Sequence, residues 1–317
     1  MRTKQLGRTD LLVSEIAFGG VEIGVPYGIG VKDESDMLSE REAIALLHRA
    51  VDEGINFYDT ARLYGDSERI MGLAFKDRRE HVVLASKCRH LRQANGLLVP
   101  FAGLERYIRG SLQESLEALQ TDYIDLYMVH YADAEILHTE EVEMIFSALK
   151  EEGLVRAIGV SVYQAEETEQ ALESGIWDAI QLPFNLMDQA HGVHFEKAYS
   201  RGVGIIVRSV LMRGMLTDCM EKLHPALYAV EQHIRSYRAL MTDRFSSLPQ
   251  FATRFALSHD VVSSVLVGID KQQYLEEAIA SAQGPHFDKD LLRQVQSMGY
   301  PQPEFLNLAE WDKNGWL

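Results

Sequence analysis

Short apolar runs recur along the chain, and most are followed by a longer stretch of helical periodicity. The runs are "SEIAFGG" (14–20), "INFYDT" (55–60), "HVVLASK" (81–87), "YIDLYMVH" (123–130), "VRAIGVS" (155–161), "WDAIQLPFN" (177–185), "GVGIIVRS" (202–209) and "SSVLVG" (263–268). Each is dominated by Val, Ile, Leu, Phe or Tyr, the pattern of a strand buried on both faces. Between them, "SEREAIALLHRAVDEG" (39–54) opens on Ser39 with Glu42 three residues on and stops at Gly54, a capped helix by its signals. "GLERYIRGSLQESLEALQTD" (103–122) lines up Leu104, Ile108, Leu112, Leu116 and Leu119 on one stripe. "TEEVEMIFSALKEEG" (139–153) and "QAEETEQALESG" (164–175) repeat the pattern.

Strands alternating with helices predict an α/β fold with a parallel sheet. Eight such units are the number that closes into a (β/α)8 TIM barrel with its active site at the C-terminal face. An open doubly wound sheet is the rival arrangement. The leading "RTKQL…LLVSE" predicts an N-terminal β-hairpin closing the barrel's bottom. No linker or low-complexity tract interrupts the pattern, so residues 1–317 are expected to form a single domain, with 299–317 as a C-terminal tail.

Composition narrows the classes of partner. The chain is 46% hydrophobic and 25% charged, ordinary values for a globular protein. Its formal net charge of −16 disfavours a nucleic-acid backbone as partner. No apolar stretch approaches the roughly 20 residues that span a bilayer, and the first residues lack the apolar centre of a signal peptide. No membrane association is expected, and a cytoplasmic location is the default. Cys88 and Cys219 stand far apart without a CxxC, which argues against a disulfide framework or structural zinc.

In a barrel, reactive side chains stand at the carboxyl ends of strands and in the loops that follow. That rule selects Asp59 and Tyr64 after the second run, Lys87 at the end of the third and His130 at the end of the fourth. Singly, each has a bland reading as a cap, a packing ring, a solvated cation or a satisfied polar residue. Together they form a set suited to delivering a proton to a carbonyl oxygen. A tyrosine titrates near 10, a neighbouring ammonium lowers that value, and a carboxylate fixes the ammonium. Such a tyrosine suits general acid catalysis, but reduction would also require a hydride from a nicotinamide.

These residues and their contexts, "LGRTDLLVSEIAFGG", "GINFYDTARLYG" and "LQTDYIDLYMVH", resemble the aldo-keto reductase family over roughly residues 1–285. The resemblance implies that Asp59, Tyr64, Lys87 and His130 are the catalytic tetrad. It further implies NADP(H) or NAD(H) bound across the barrel mouth without a Rossmann domain, and no metal. "GIG" (28–30) is read as loop, and "GVSVY" (159–163) is not a nucleophile elbow. Ser161 and Gln181 match the family's carboxamide-binding pair, and Asn185 is assigned a structural role. Val162 stands where an asparagine is common, and Arg208 where relatives often place an aromatic ring. Arg208 is read as stacking on the nicotinamide or reaching a phosphate, against a structural ion pair as the plain reading. Ser209, Leu211 and Gly214 resemble the segment that covers the pyrophosphate.

After the last run, Gly268, Lys271, Tyr274 and Glu277 fall at the adenine end. Ile269, Tyr274 and Ala278 depart from the pattern of NADP-preferring relatives, and Asp270 would repel a 2′-phosphate, although Lys271 could still bind one. The resemblance thus implies weakened NADP preference, with NAD(H) use open.

Substrate contacts are expected from Val21, Arg89, Arg92 and Tyr131, with Arg89 or Arg92 meeting a polar or anionic group. The tail carries Trp311, which either lines the pocket or packs beneath the barrel. The function expected is interconversion of an aldehyde or ketone, extending to a sugar or sugar-like carbonyl, with its alcohol. A nicotinamide-sensing regulatory subunit on the same fold is the alternative. The oligomeric state is not legible. "HGVH", with His191 and His194, is read as a surface face rather than a metal site.

Overall fold

The computed structural model describes residues 1–27, 33–217, 223–242 and 244–316. The "GIG" segment and Cys219 lie outside the described residues. Two hairpin strands, β1 (Thr3–Gln5) and β2 (Leu12–Ser14), precede eight others. These are β3 (Ile16–Gly19), β4 (Phe57–Asp59), β5 (Val83–Lys87), β6 (Ile124–Val129), β7 (Val155–Ser161), β8 (Ala179–Pro183), β9 (Gly204–Arg208) and β10 (Val262–Gly268). The eight close into a barrel in which β10 pairs with both β9 and β3. Every barrel pairing is parallel. Closure excludes the open sheet.

The local signals act as the sequence predicts. Ser39 and Glu42 form a reciprocal capping box at the head of helix Glu40–Asp52. Gly54 follows that helix at φ +90°, a conformation a side chain would resist. The helix after β5 runs Phe101–Leu119, beginning earlier than the periodicity implied because Pro100 takes the N-cap position. All five residues of its predicted stripe are buried.

Strand parity divides the core into two layers. Ala17, Phe57, Val83, Ala85, Leu126, Met128, Ala157, Ala179 and Ile206 form one cluster inside the barrel. Leu6, Leu11 and Val13 of the hairpin belong to the same cluster and plug its lower end. Gly7 in the hairpin turn has φ +54°, and a Cβ there would stand 2.4 Å from the Gly204 nitrogen at the start of β9. The alternate strand residues, such as Tyr58, Leu84, Tyr127 and Val160, face the outer helices in the larger cluster. Continuing the inward parity along the strands reaches Asp59, Lys87, His130, Ser161, Gln181 and Arg208. The upper layer of the barrel is therefore polar by construction.

The C-terminal tail does not lie beneath the barrel. Tyr300 donates its backbone N–H to the Met187 carbonyl at 2.8 Å, in the loop following the carboxyl end of β8. Trp311 is buried, with its ring 5.5 Å from that of Phe305. Trp316 stacks on His224. Among the described residues no helix is long and apolar enough to cross a membrane.

Candidate active site

Asp59 ends β4 and Lys87 ends the neighbouring β5, both almost wholly buried. The Lys87 ammonium donates to Asp59 Oδ1 at 2.5 Å and to the Thr60 carbonyl at 3.0 Å. Asp59 Oδ2 accepts from Gln181 Nε2 at 2.8 Å. One carboxylate thus joins β4, β5 and β8 across the barrel.

Tyr64 sits in the turn after β4, which is pinned on both sides. Thr60 donates its hydroxyl to Ser67 at 2.8 Å, and the backbone N–H of Ser67 donates to the Tyr64 carbonyl at 2.9 Å. Glu68 is fully buried, paired with Arg62 and accepting the Ser86 hydroxyl at 2.6 Å. The Lys87 nitrogen lies 5.0 Å from the centroid of the Tyr64 ring, and the His130 ring stands edge-on to it at 5.4 Å. The four predicted residues are brought together.

Their protonation differs from the sequence expectation in one respect. Burial raises the Tyr64 phenol well above its ordinary value, and Asp59, Tyr163 and Tyr27 push the same way, while Arg208 opposes them. The Lys87 ammonium, paired with Asp59, does not offset that burial. Burial also lowers the Lys87 ammonium from its usual range, against the pull of Asp59. Burial, then Lys87, His90 and Arg208, drive His130 down to about 2, so its ring is neutral. Among the described residues His130 Nδ1 is buried without a hydrogen-bond partner, the kind of orphaned group a ligand or water satisfies. The site holds a neutral phenol and a neutral imidazole beside a buried cation–carboxylate pair.

Arg208, at the end of β9, makes no ion pair among the described residues; its Nη1 lies 3.4 Å from the Ser209 hydroxyl. Its Nη2 donates to the Val162 carbonyl at 2.9 Å, and its guanidinium carbon lies 4.1 Å from the Tyr163 ring centroid. Tyr163 in turn meets Tyr131 edge-on at 5.0 Å. Ser161 is buried at the end of β7. Asn185 holds the loop after β8, accepting from Met187 and Asp188, each at 2.9 Å, and donating to the Ser209 carbonyl at 3.3 Å. The segment after β9 is strained, with Ser209, Met212 and Arg213 all at positive φ before Gly214 at φ +100°. Leu211 accepts from Gly214 and Leu216 within it. The Arg213 guanidinium lies 5.2 Å from the Tyr27 ring, linking the loops after β9 and β3.

The structure places other predicted residues further out or differently engaged. Glu277 accepts from Gln273 on an exposed face, and Lys271 lies 5.5 Å from the Tyr274 ring centroid. Val21 supplies the carbonyl that closes a turn on Gly24 and Val25. Arg89 pairs with Glu114 at 2.6 Å, and Arg92 with Asp133 and Glu135 at 2.5 and 2.7 Å. Both guanidinium groups are engaged by carboxylates in the structure. Arg89→Ala and Arg92→Ala are expected to change the ratio of turnover for anionic and neutral aldehydes by no more than about twofold, because each guanidinium charge is already matched by a carboxylate. Steady-state kinetics on a matched aldehyde pair checks this; a selective loss of the anionic substrate would contradict it.

His191 is not on a surface face: it is buried, with Nδ1 against the Thr168 hydroxyl at 2.8 Å and Nε2 against the Tyr163 carbonyl at 3.2 Å. Burial lowers it to about 4. Among the described residues no group of three His, Cys, Asp or Glu is placed to hold a metal ion. Cys88 is buried, and its thiol is pushed up to about 12.

Sequence reasoning missed Glu22, Tyr27, Arg62, Glu68 and Tyr163. Glu22, Tyr27 and Tyr163 lie just beyond strand ends, so the rim rule that found Tyr64 also reaches them. Arg62 and Glu68 carry no such signal, because their pairing depends on a turn whose shape the pattern does not encode.

Residues 15–299 match the aldo/keto reductase family. This chain belongs to it. Among its relatives, an L-galactose dehydrogenase of Arabidopsis thaliana is 27% identical, covering 94% of each chain. An NADH-specific methylglyoxal reductase of Escherichia coli is 27% identical, covering 89% of this chain and 93% of the relative. A probable voltage-gated potassium channel subunit beta of Oryza sativa is 29% identical, covering 87% and 90%. The solved holo form of aldo-keto reductase AKR11C1 from Bacillus halodurans superposes with a TM-score of 0.79 at 26% identity, covering 94% and 96%. The chain is thus an aldo-keto reductase with oxidoreductase relatives.

Proposed function

We propose that this aldo-keto reductase interconverts a neutral, hydroxylated aldehyde or ketone with its alcohol, using NAD(H) or NADP(H) bound across the carboxyl-end mouth. The observation that carries the reading is the Asp59 carboxylate bridging Lys87 and Gln181 while a neutral Tyr64 rests against Lys87 and His130. When bound, the nicotinamide supplies the hydride. Tyr64 gives its phenolic proton to the carbonyl oxygen, His130 offers a neutral ring nitrogen to orient that oxygen, and Lys87 stabilises the phenolate left behind.

The residues fit a dinucleotide. His130 Nδ1 awaits a partner, and positive φ at Ser209, Met212 and Arg213 is strain of the kind found at ligand clamps. Ser161, Gln181 and Arg208 would face the nicotinamide end, with Gln181 dividing its amide between the carboxamide and Asp59. Ser209, Leu211 and Gly214 would cover the pyrophosphate. Gly268, Lys271, Tyr274 and Glu277 would meet the adenosine end. Asp270 and the aromatic contact of Lys271 favour NAD(H), in keeping with the NADH-specific relative. The paired state of Arg89 and Arg92 favours a neutral substrate near Val21 and Tyr131, and the L-galactose dehydrogenase points to a sugar-like one.

Fluorescence titration with NADH and NADPH, followed by turnover of a sugar and aldehyde panel, tests this. Binding of NADH with carbonyl reduction or alcohol oxidation supports the reading. Binding without turnover of any carbonyl would favour the regulatory role suggested by the channel-subunit relative. Binding of neither nucleotide would overturn both.

A further inference from the structure

We propose that Glu22 is a ligand-binding residue of the mouth, whose carboxyl takes the hydroxyl groups of a cofactor ribose lying between the tetrad and the loop after β10. The inference rests on the cofactor reading above and adds a residue to it. Glu22 follows β3 by three positions. Its Oε1 occupies the space that glycine leaves at position 268: a Cβ on Gly268 would stand 1.9 Å from it. Gly268 ends β10 and pairs with Gly19 of β3. The carboxyl is therefore seated on the β3–β10 seam, next to β4, which bears Asp59.

Its surroundings leave it underserved. Among the described residues, Oε2 is buried without a hydrogen-bond partner. Burial raises its titration to about 8; its own backbone N–H opposes the rise, and the charged groups it feels, Asp270 after β10 and Asp59 on β4, are carboxylates that add to it. The group is consequently a neutral acid at pH 7, at once a donor and an acceptor. A buried polar atom without a partner is destabilising, and such breaches of local consistency gather at functional sites.

The location selects the ligand. A dinucleotide reaching from Tyr64 to the loop after β10 must cross this seam, and the Arg213–Tyr27 contact joins the loops on either side of β10. Of the groups along a dinucleotide, phosphates are disfavoured there by the nearby Asp270 and Asp59 carboxylates. Ribose hydroxyls match a protonated carboxyl, which can give one hydrogen bond and accept another.

Dissociation constants for NADH, measured at pH 7 with Glu22→Ala and Glu22→Gln, test the assignment. Ala should weaken binding about tenfold, the scale of a lost pair of hydrogen bonds, while neutral Gln should restore most of it. Above pH 8 the wild-type carboxyl ionises beside a polyanionic ligand, so its affinity should fall while that of the Gln variant stays flat. Melting without nucleotide gives a separate readout. The folded state holds the Glu22 proton to a higher pH than the unfolded chain, so wild-type stability declines from about pH 4.5 to about 8. The Gln variant should escape that decline. Unchanged NADH affinity in the Ala variant, or equal loss in Ala and Gln, would overturn the proposal. Failure of the wild type to bind any nucleotide would instead overturn the cofactor reading beneath it.

Discussion

Tyr64→Phe is expected to lower kcat by roughly 10²- to 10⁴-fold, the range for a removed general acid, while NADH affinity and the melting temperature stay near wild type. The phenol accepts and donates none of the hydrogen bonds that hold its turn, which run through Thr60, Ser67, Glu68 and Ser86. Removing the hydroxyl therefore deletes chemistry and leaves architecture. The pH profile sharpens the point. Burial holds the phenol protonated well above its usual range, so reduction should show no loss from Tyr64 ionisation between about pH 6 and 9. Alcohol oxidation needs the phenolate as base and should accelerate as pH rises. An active Tyr64→Phe enzyme would remove Tyr64 from the mechanism.

The second large effect is structural as well as chemical. Asp59→Asn keeps the shape of the side chain but leaves the Lys87 ammonium buried without its counter-charge, facing neutral amide and Thr60 carbonyl oxygens. Breaking one side of a buried pair destabilises by about 3–5 kcal/mol, and denaturant unfolding at pH 7 should register a loss of that order. Desolvation already lowers Lys87; without the carboxylate it should lower it further. A base whose folded titration lies below its unfolded one gains stability as pH rises through that interval. The deficit of Asp59→Asn should accordingly narrow toward alkaline pH. The double variant Asp59→Asn with Lys87→Met, which removes the stranded cation, should be more stable than Asp59→Asn alone, though inactive. If the double variant loses the sum of both single effects, the two groups are not coupled as their 2.5 Å separation implies.

Much of this site was legible because strand parity and strand ends are written in the sequence. Val83, Ala85 and Lys87 face inward in alternation, as do Leu126 and Met128 before His130, so the apolar run itself positions the polar residue that ends it. The tetrad needed no knowledge of loops beyond the five-residue step from Asp59 to Tyr64. What escaped depends on tertiary geometry. The Lys87 charge was expected to lower the Tyr64 phenol; it lies beside the ring, but burial outweighs it. The plain reading of Arg208 as an ion pair missed its partners within the fold, the Val162 carbonyl, the Ser209 hydroxyl and the face of Tyr163. His191 looked like half of a polar surface motif because spacing along a chain does not reveal burial. Glu22 was passed over inside a loop, since its isolation becomes visible when Gly268 is seen against it.

The central claim is that this mouth brings a nicotinamide hydride to a carbonyl carbon while Tyr64 protonates the oxygen. Single turnover with NADH carrying deuterium in the transferable position at C4, with product analysis by mass spectrometry, addresses it directly. Deuterium should appear on the carbon bearing the new hydroxyl with wild-type enzyme, at a rate reduced by roughly 10²-fold or more in Tyr64→Phe. Absence of deuterium transfer from both NADH and NADPH across the carbonyl panel would contradict the account.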